Sequence, residues 1–204
     1  MFGTMTRPSD EAGSAIAASL AERFQQTVLC HADLVYRMAL RLGGQPSEAD
    51  DLTQETFLRA HRAFDRFDLR DHGAKAWLMK ILHNVVLTRR ARAGRQPTLL
   101  EDVNFDDFAA ELEREPLPRL ADGQMQWDHF DDELKQAVEG LIPEYRDVLL
   151  LWALGDLSYK QVADIVDVPI GTVMSRLYRA RQVLGRQLAE YAAHRGVSAG
   201  RRSS

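Results

Sequence analysis

The sequence has little of what several protein classes require. A single cysteine, Cys30, among 204 residues excludes an internal disulfide framework and a cysteine-rich zinc site. The longest continuous apolar run, Val148–Leu154, has seven residues, whereas a membrane-spanning helix needs about 20. The N-terminal stretch around Pro8 has no apolar core of the signal-peptide type. These absences favour a reduced, cytoplasmic protein, in which Cys30 is expected to be a small buried apolar residue.

Motifs of common enzyme classes are missing as well. The chain has no GxxxxGK[ST] phosphate-binding loop and no HExxH metal-binding helix. Its 6 histidines lie in different segments: His31, His61, His72, His83, His129 and His194. We therefore predict no catalytic residue, no metal site and no cofactor, and a protein that is not an enzyme.

Charge is strongly segregated along the chain, although the formal net charge is only −4. Residues 75–96 hold six basic side chains and no acidic ones, and residues 171–188 hold four arginines and no acidic ones. Between these segments, residues 97–135 hold twelve acidic side chains against three basic ones, a net of −9. Two basic segments separated by an acidic one predict two anion-binding surfaces on one chain.

Apolar spacing predicts three helices in the first half of the chain, at about Ala21–Leu42, Glu48–Phe64 and Ala74–Ala93. Ser47 is the candidate N-cap of the second helix. The side chains expected to face inward are Phe24, Val28, Val35, Met38 and Leu42 in the first helix, Leu52, Thr56, Ala60 and Ala63 in the second, and Trp77, Ile81, Leu82 and Val85 in the third. Trp77 is expected to lock the third helix to the first two.

The predicted fold class is all-α, with two small helical domains joined by an acidic, flexible linker, because no strand-like alternation occurs. Residues 1–20 are expected to be a disordered N-terminal segment and 21–96 the first helical domain. Residues 97–127, which contain three prolines, are expected to be the linker. Residues 128–192 form the second helical domain, and 193–204 a disordered tail.

The second domain carries a helix-turn-helix pattern at residues 158–186. Ser158 and Gln161 fit a capping box at the start of a short helix. The segment Asp167–Pro169 cannot continue that helix, because proline disfavours helical geometry in the residue before it. A second helix begins near Ile170 or Gly171, and its inward stripe is Val173, Leu177, Ala180 and Leu184.

The opposite face of this second helix has the residue types that a major-groove reader needs. Arginine can donate two hydrogen bonds to a guanine edge, and Ser, Thr and Gln contact bases or backbone. Spacing alone also permits a plainer interpretation, an amphipathic hairpin with a solvated basic face. The short turn and the absence of acidic residues from the second helix favour DNA binding.

Several motifs occur in an order that identifies a family. They are the acidic stretch EADDLTQETF at 48–57, AWLMKILHN at 76–84, the arginine cluster RRAR at 89–92, IPEYR at 142–146 and SYKQVA at 158–163. Together they resemble the extracytoplasmic-function group of bacterial sigma factors, over about residues 21–188. The resemblance implies a sigma region 2-like bundle and a sigma region 4-like helix-turn-helix.

The resemblance implies roles for residues of the first domain. Its acidic helix would dock on the clamp helices of the largest subunit of core RNA polymerase, through Asp50, Asp51, Gln54, Glu55 and Phe57. Its third helix would read the melted non-template strand of the minus-ten promoter element, through Lys80, Asn84, Arg89, Arg90 and Arg92. Thr88 stands where an aspartate is common in the family, which leaves the local hydrogen bonding open.

The second domain would read the duplex minus-thirty-five element and approach the flap region of polymerase. The implied contacts are Ser158, Lys160, Thr172, Met174, Ser175, Arg176, Tyr178, Arg179 and Arg181. Met174 stands where an arginine is frequent, so one base preference is expected to differ. The run PIGTVMSR at 169–176 is closest to members held by zinc-binding anti-sigma proteins.

The predicted function is therefore that of a cytoplasmic, nucleoid-associated initiation factor under anti-sigma control. The alternative is a stand-alone helix-turn-helix regulator that binds operator DNA as a dimer. An interaction module that sequesters another factor is a third hypothesis, although it would not need two phosphate-facing surfaces. The start codon, Met1 or Met5, is not decided by the sequence.

Overall fold

The computed structural model describes residues 19–43, 45–67, 73–94 and 132–194, and within these ranges the chain is helical with no strand. The predicted N-terminal segment, linker and tail lie outside the described residues, except for helical ends at residues 19–20 and 193–194. None of the described helices is both long enough and apolar enough to cross a membrane.

The described residues of the first lobe, which lie within 19–94, form four α-helices. They are α1 (residues 19–27), α2 (Ala32–Gly43), α3 (Pro46–Ala63) and α4 (Gly73–Arg92). Helix α2 packs against α3 and α4, and α3 packs against α4. The predicted stripe of Phe24, Val28, Val35, Met38 and Leu42 is buried, as expected. The prediction of three helices is therefore confirmed, except that the first of them is interrupted between α1 and α2.

The interruption lies between α1 and α2, where Leu29–His31 form a 3-10 turn. The local sequence Thr27–His31 is rich in poor helix formers, so packing decides the geometry there. Val28 stays fully buried, while Cys30 is turned to solvent. The prediction of a buried Cys30 is therefore wrong, because it rested on the usual burial of free cysteine and not on the position of Cys30 in the fold.

The two ends of α3 also differ from expectation. The helix begins at Pro46, and its N-cap is Gln45, which makes no side-chain capping bond. Proline is well suited to the first helical position because its missing N–H needs no partner there, so Ser47 lies inside the helix and is not the cap. At the other end α3 stops at Ala63, which is exposed, and Phe64 takes the buried position in a short 3-10 turn.

Aromatic contacts join α4 to the rest of the first lobe. Trp77 is half-buried and stacks on Phe67 with a centroid distance of 4.1 Å. Phe64 lies 6.5 Å from Trp77 and meets Phe24 of α1 edge to face at 5.1 Å. The predicted packing role of Trp77 is confirmed, since this chain of rings connects α4 with the end of α3 and with α1. Ile81 is also half-buried, whereas Leu82 and Val85 are buried.

The second lobe, residues 132–194, contains α5 (Asp132–Glu139), α6 (Pro143–Ala153), α7 (Tyr159–Val166) and α8 (Ile170–His194). Helix α8 packs against α5, α6 and α7, so it forms the centre of this lobe. Its predicted inward residues Val173, Leu177 and Ala180 are at most 1% exposed, and Leu184 packs partly buried against the core.

The helix-turn-helix is confirmed, including its start and its turn. The Ser158 side chain accepts a hydrogen bond from the Gln161 amide, and the Gln161 side chain accepts one from the Ser158 amide. Asp167 ends α7 in the left-handed conformation, with φ 56°. Pro169 then precedes α8 without entering it. The turn at residues 167–169 therefore joins α7 to α8.

The two lobes pack against each other. Helix α7 contacts α4, and α6 contacts α2. Buried apolar residues of both lobes belong to one continuous cluster. The helix predicted to read melted DNA therefore lies against the first helix of the helix-turn-helix.

We predict that Ser158→Ala lowers the free energy of unfolding by about 1 kcal/mol, the usual loss when a helix cap is removed. Ser47→Ala is the matched control, and it should change that energy by less than about 0.5 kcal/mol, because Ser47 caps no helix. Urea unfolding followed by circular dichroism measures both. Equal losses would contradict the assignment of the caps.

Candidate nucleic-acid interface

The acidic face of α3 is accessible and has an apolar anchor. Asp50, Asp51 and Gln54 are exposed, whereas Glu55 and Phe57 are half-buried. Phe57 packs partly against the core, and Glu55 accepts a hydrogen bond from Arg59 at 2.7 Å. Outward carboxylates beside a packed aromatic residue give this face both charge and a fixed orientation, which suits a basic partner surface.

This acidic face meets the arginine cluster of α4. Arg89 lies between the two helices, with Nη2 2.9 Å from Asp51 and Nε 3.6 Å from Glu48. A groove between α3 and α4 is bordered by the exposed side chain of Leu58. Ion pairs this exposed contribute about 0–1 kcal/mol, so a stronger ligand can release Arg89 at small cost. The acidic face of α3 and the arginine cluster of α4, which sequence analysis assigns to different partners, are therefore in contact.

The outer face of α4 presents polar and basic groups. Lys80, Asn84 and Arg92 are exposed. The Thr88 hydroxyl donates a hydrogen bond to the Asn84 carbonyl at 2.7 Å. The hydroxyl of Thr88 therefore finds its partner within the helix, and the Asn84 side chain is not used in that bond.

Arg90 differs from the other candidate arginines because it faces the second lobe. Its Nη1 donates a hydrogen bond to Asp147 Oδ2 at 2.6 Å, and its Nη2 donates one to Asp147 Oδ1 at 3.1 Å. Nη2 also lies 3.4 Å from the carbonyl of Leu42, at the end of α2. This two-point pairing, with the Arg90 side chain only 12% exposed, holds its guanidinium away from solvent.

His83 of α4 completes the surroundings of Asp147. Its Nε2 lies 3.4 Å from Asp147 Oδ2, and the two side chains are 5% and 6% exposed. Burial raises the pKa of the Asp147 carboxyl, but hydrogen bonds from His83 and Arg90 and the charge of Arg90 outweigh it, so the pKa lies below its ordinary value. Asp147 is therefore an ionised carboxylate buried between the lobes.

The candidate duplex-reading face of α8 is half-buried along most of its length. The half-buried members are Thr172, Met174, Ser175, Arg176, Tyr178 and Arg179. The exposed members are Arg181 of α8 and, at the start of α7, Ser158 and Lys160. Arg179 Nη1 donates a hydrogen bond to the Tyr145 hydroxyl at 3.2 Å. Ser175 donates one to the Thr172 carbonyl at 3.0 Å, which satisfies its hydroxyl within the helix.

No group of three or more metal-ligating side chains comes together within the described ranges. Partial burial and the positive charge of Lys75 both lower the pKa of the His31 imidazole.

Comparison with known proteins agrees with this arrangement. Residues 27–96 match the family model of Sigma-70 region 2, and residues 131–184 match that of Sigma-70 region 4. The ECF RNA polymerase sigma factor SigE of Mycolicibacterium smegmatis is 32% identical over 94% of this chain and 74% of its own length. The chain belongs to the ECF RNA polymerase sigma factors. It is thus a transcription initiation factor of the group that binds core polymerase and promoter DNA.

Other relatives of this sigma factor also match most of the chain. SigW of Bacillus subtilis is 28% identical over 83% of this chain and 90% of its own length. The sigma factor RpoE of Bartonella quintana, solved in complex with the anti-sigma factor NepR, is 27% identical with a TM-score of 0.62, over 82% of this chain and 98% of that one. Because the region 2 match covers the first lobe, the alternative of a stand-alone dimeric regulator is wrong.

Sequence analysis missed two polar residues of this sigma factor, His83 and Asp147. A signal for Asp147 was present, since it stands three, four and seven residues before the buried Leu150, Leu151 and Leu154 and so shares their helix face. The pairing with Arg90 had no such signal, because 57 residues separate the two in sequence.

We predict that Asp147 titrates below its ordinary pKa of 3.8, because His83 and Arg90 stabilise its charged form. The contribution of the Asp147 carboxylate to the free energy of unfolding is therefore present above pH 3.8 and is lost as the pH falls through the lowered pKa. A titration followed through the side-chain carboxyl carbon by NMR measures it. In Arg90→Gln the pKa of Asp147 should rise, since the cation that lowers it is removed. Titration at or above 3.8 in the unsubstituted chain would refute the assignment.

Proposed function

We propose that this chain binds core RNA polymerase through its first lobe and selects promoters by reading two DNA elements, one with each lobe. The observation that carries the proposal is the presence of both sigma regions, in order, on one chain with a basic reading surface in each. The chain itself performs no catalysis, since RNA synthesis belongs to polymerase.

The polymerase-docking surface is the acidic face of α3, formed by Asp50, Asp51, Gln54, Glu55 and Phe57. Its support is the exposure of the first three side chains and the anchoring of Phe57 against the core. The partner is the clamp-helix region of the largest polymerase subunit. Complementary charge would steer the two surfaces together and fix their orientation.

The minus-ten reader is the outer face of α4. Asn84 would pair with the edge of an unstacked base, and Lys80, Arg89, Arg90 and Arg92 would hold the phosphates of the melted non-template strand. Arg89 reaches those phosphates by leaving its exposed ion pairs, whereas Arg90 reaches them only after the lobes separate.

The minus-thirty-five reader is the start of α8 with the first turn of α7. Arg176 and Arg179 would contact base edges in the major groove, Met174 an apolar thymine methyl group, and Lys160 a phosphate. The remaining contacts would come from Ser158, Thr172, Ser175, Tyr178 and Arg181. This lobe would also approach the flap region of polymerase.

We propose that an anti-sigma protein holds the chain in the cytoplasm until a signal arrives. The support is the likeness to a sigma factor that was solved with an anti-sigma partner. A zinc-binding partner is the subgroup that the sequence of 169–176 favours. The segment 97–127 would set the distance between the two reading lobes.

Run-off transcription tests the function. The purified chain is added to sigma-free core polymerase on a library of promoter DNA from its host, and new start sites preceded by a shared pair of motifs are expected. The matched control carries Asp51→Lys and Glu55→Lys, which should abolish the transcripts by weakening polymerase binding. Tight binding of the chain alone to duplex DNA, with no transcripts, would refute the proposal.

In the same assay, Arg179→Ala should relax selection at one position of the minus-thirty-five motif. Loss of one base contact costs roughly 1–3 kcal/mol. The matched control is Arg186→Ala, further along α8, where the side chain is exposed and no contact is proposed. Identical motifs for Arg179→Ala and the unsubstituted chain would contradict the assigned reading face.

A further inference from the structure

The closed arrangement of the lobes is incompatible with reading two promoter elements at once. Elements centred near minus ten and minus thirty-five lie roughly 25 base pairs apart, which is about 85 Å along B-form DNA at 3.4 Å per base pair. In this structure α4, the proposed minus-ten reader, is in direct contact with α7 of the helix-turn-helix. The two lobes must therefore separate before both can bind.

The strongest polar contact between the lobes is the buried cluster of Asp147, Arg90 and His83. The side chains of these residues are 6%, 12% and 5% exposed. Among the described residues, ion pairs of Lys75 with Asp156 at 3.3 Å and of Arg41 with Glu139 at 3.8 Å also cross the interface. The carboxylates of those pairs are 65% and 52% exposed, so water replaces them at little cost.

We propose that Asp147 is an autoinhibitory latch. Its buried pairing with Arg90 keeps the lobes closed, and the paired guanidinium is thereby withheld from DNA. The autoinhibitory part rests on the proposed function, whereas the latch itself rests on geometry alone. The same guanidinium cannot pair with the Asp147 carboxylate through two hydrogen bonds and also hold a promoter phosphate. Closure and minus-ten binding are therefore mutually exclusive at one side chain.

The latch gives the closed state a defined way to open. When the lobes part, Asp147 and Arg90 both regain water, and Arg90 becomes available to phosphate. A ligand that binds only the open state shifts the population toward it by its preference for that state. Core polymerase and melted DNA together would supply that preference, so the chain would expose its reader mainly where the reader is used.

Fluorescence energy transfer between the lobes tests the latch without any transcription. Cys30 is the chain's own exposed cysteine in the first lobe, and Gln182→Cys supplies an exposed site on α8 for the second dye. In Asp147→Asn the ratio of open to closed molecules should rise at least about tenfold, because a buried cation is left without its anion. Arg90→Gln should also raise the ratio of open to closed molecules, because it leaves the buried Asp147 carboxylate without its cation.

The matched control is Asp156→Asn, which removes the exposed ion pair with Lys75 and should change the ratio by less than about twofold. Far-UV circular dichroism must stay unchanged in both latch variants, since the lobes separate as folded units. Unchanged energy transfer in Asp147→Asn and Arg90→Gln, or loss of helicity in either, would overturn the proposal.

Run-off transcription with limiting sigma factor then tests autoinhibition. Asp147→Asn should reach half-maximal initiation at a concentration up to about tenfold lower, because apparent affinity scales with the fraction of molecules that can bind. Opening by energy transfer with no transcripts from any variant would retain the latch and refute the proposed function. Opening with normal transcription but no gain in Asp147→Asn would refute autoinhibition alone.

Discussion

A carboxylate buried away from water must be paired, and that constraint organises the contact between the two lobes. Asp147 belongs to the second lobe, but its cationic partner Arg90 and its neighbour His83 belong to the first. Breaking such a buried pair costs about 3–5 kcal/mol, because the remaining charge has no solvent. The closed arrangement therefore depends on one residue pair more than on the exposed ion pairs around it.

Helix α4 is the element on which most of the structure converges. Leu78, Met79 and Leu82 are fully buried, and His83 and Val86 add to a buried surface that extends around much of the helix. Its contacts are with α2 and α3 in its own lobe and with α7 in the other. The exposed residues of α4 form an outer strip that includes Lys80, Asn84, Leu87, Ala91 and Arg92.

Much of the fold and part of the candidate site could be predicted from sequence. The buried stripes of α2 and α8, the Ser158 cap and the turn at Pro169 follow from patterns within a few residues. The predictions for Cys30, Ser47 and Ala63 were wrong at the points where one helix stops and packing sets the direction of the chain. At such ends, local propensities differ by only a few tenths of a kcal/mol, and tertiary contacts override them.

What the sequence by itself determined is the all-α class, the helix-turn-helix and the resemblance to the sigma family, because each depends on the order and spacing of residues along the chain. What only the tertiary structure decided is which charged groups meet. Arg89 of the basic cluster pairs with Asp51 of the acidic helix, and Arg90 pairs with Asp147 across 57 residues. Helical periodicity places a side chain on a face, but the packing of helices from distant segments chooses its partner.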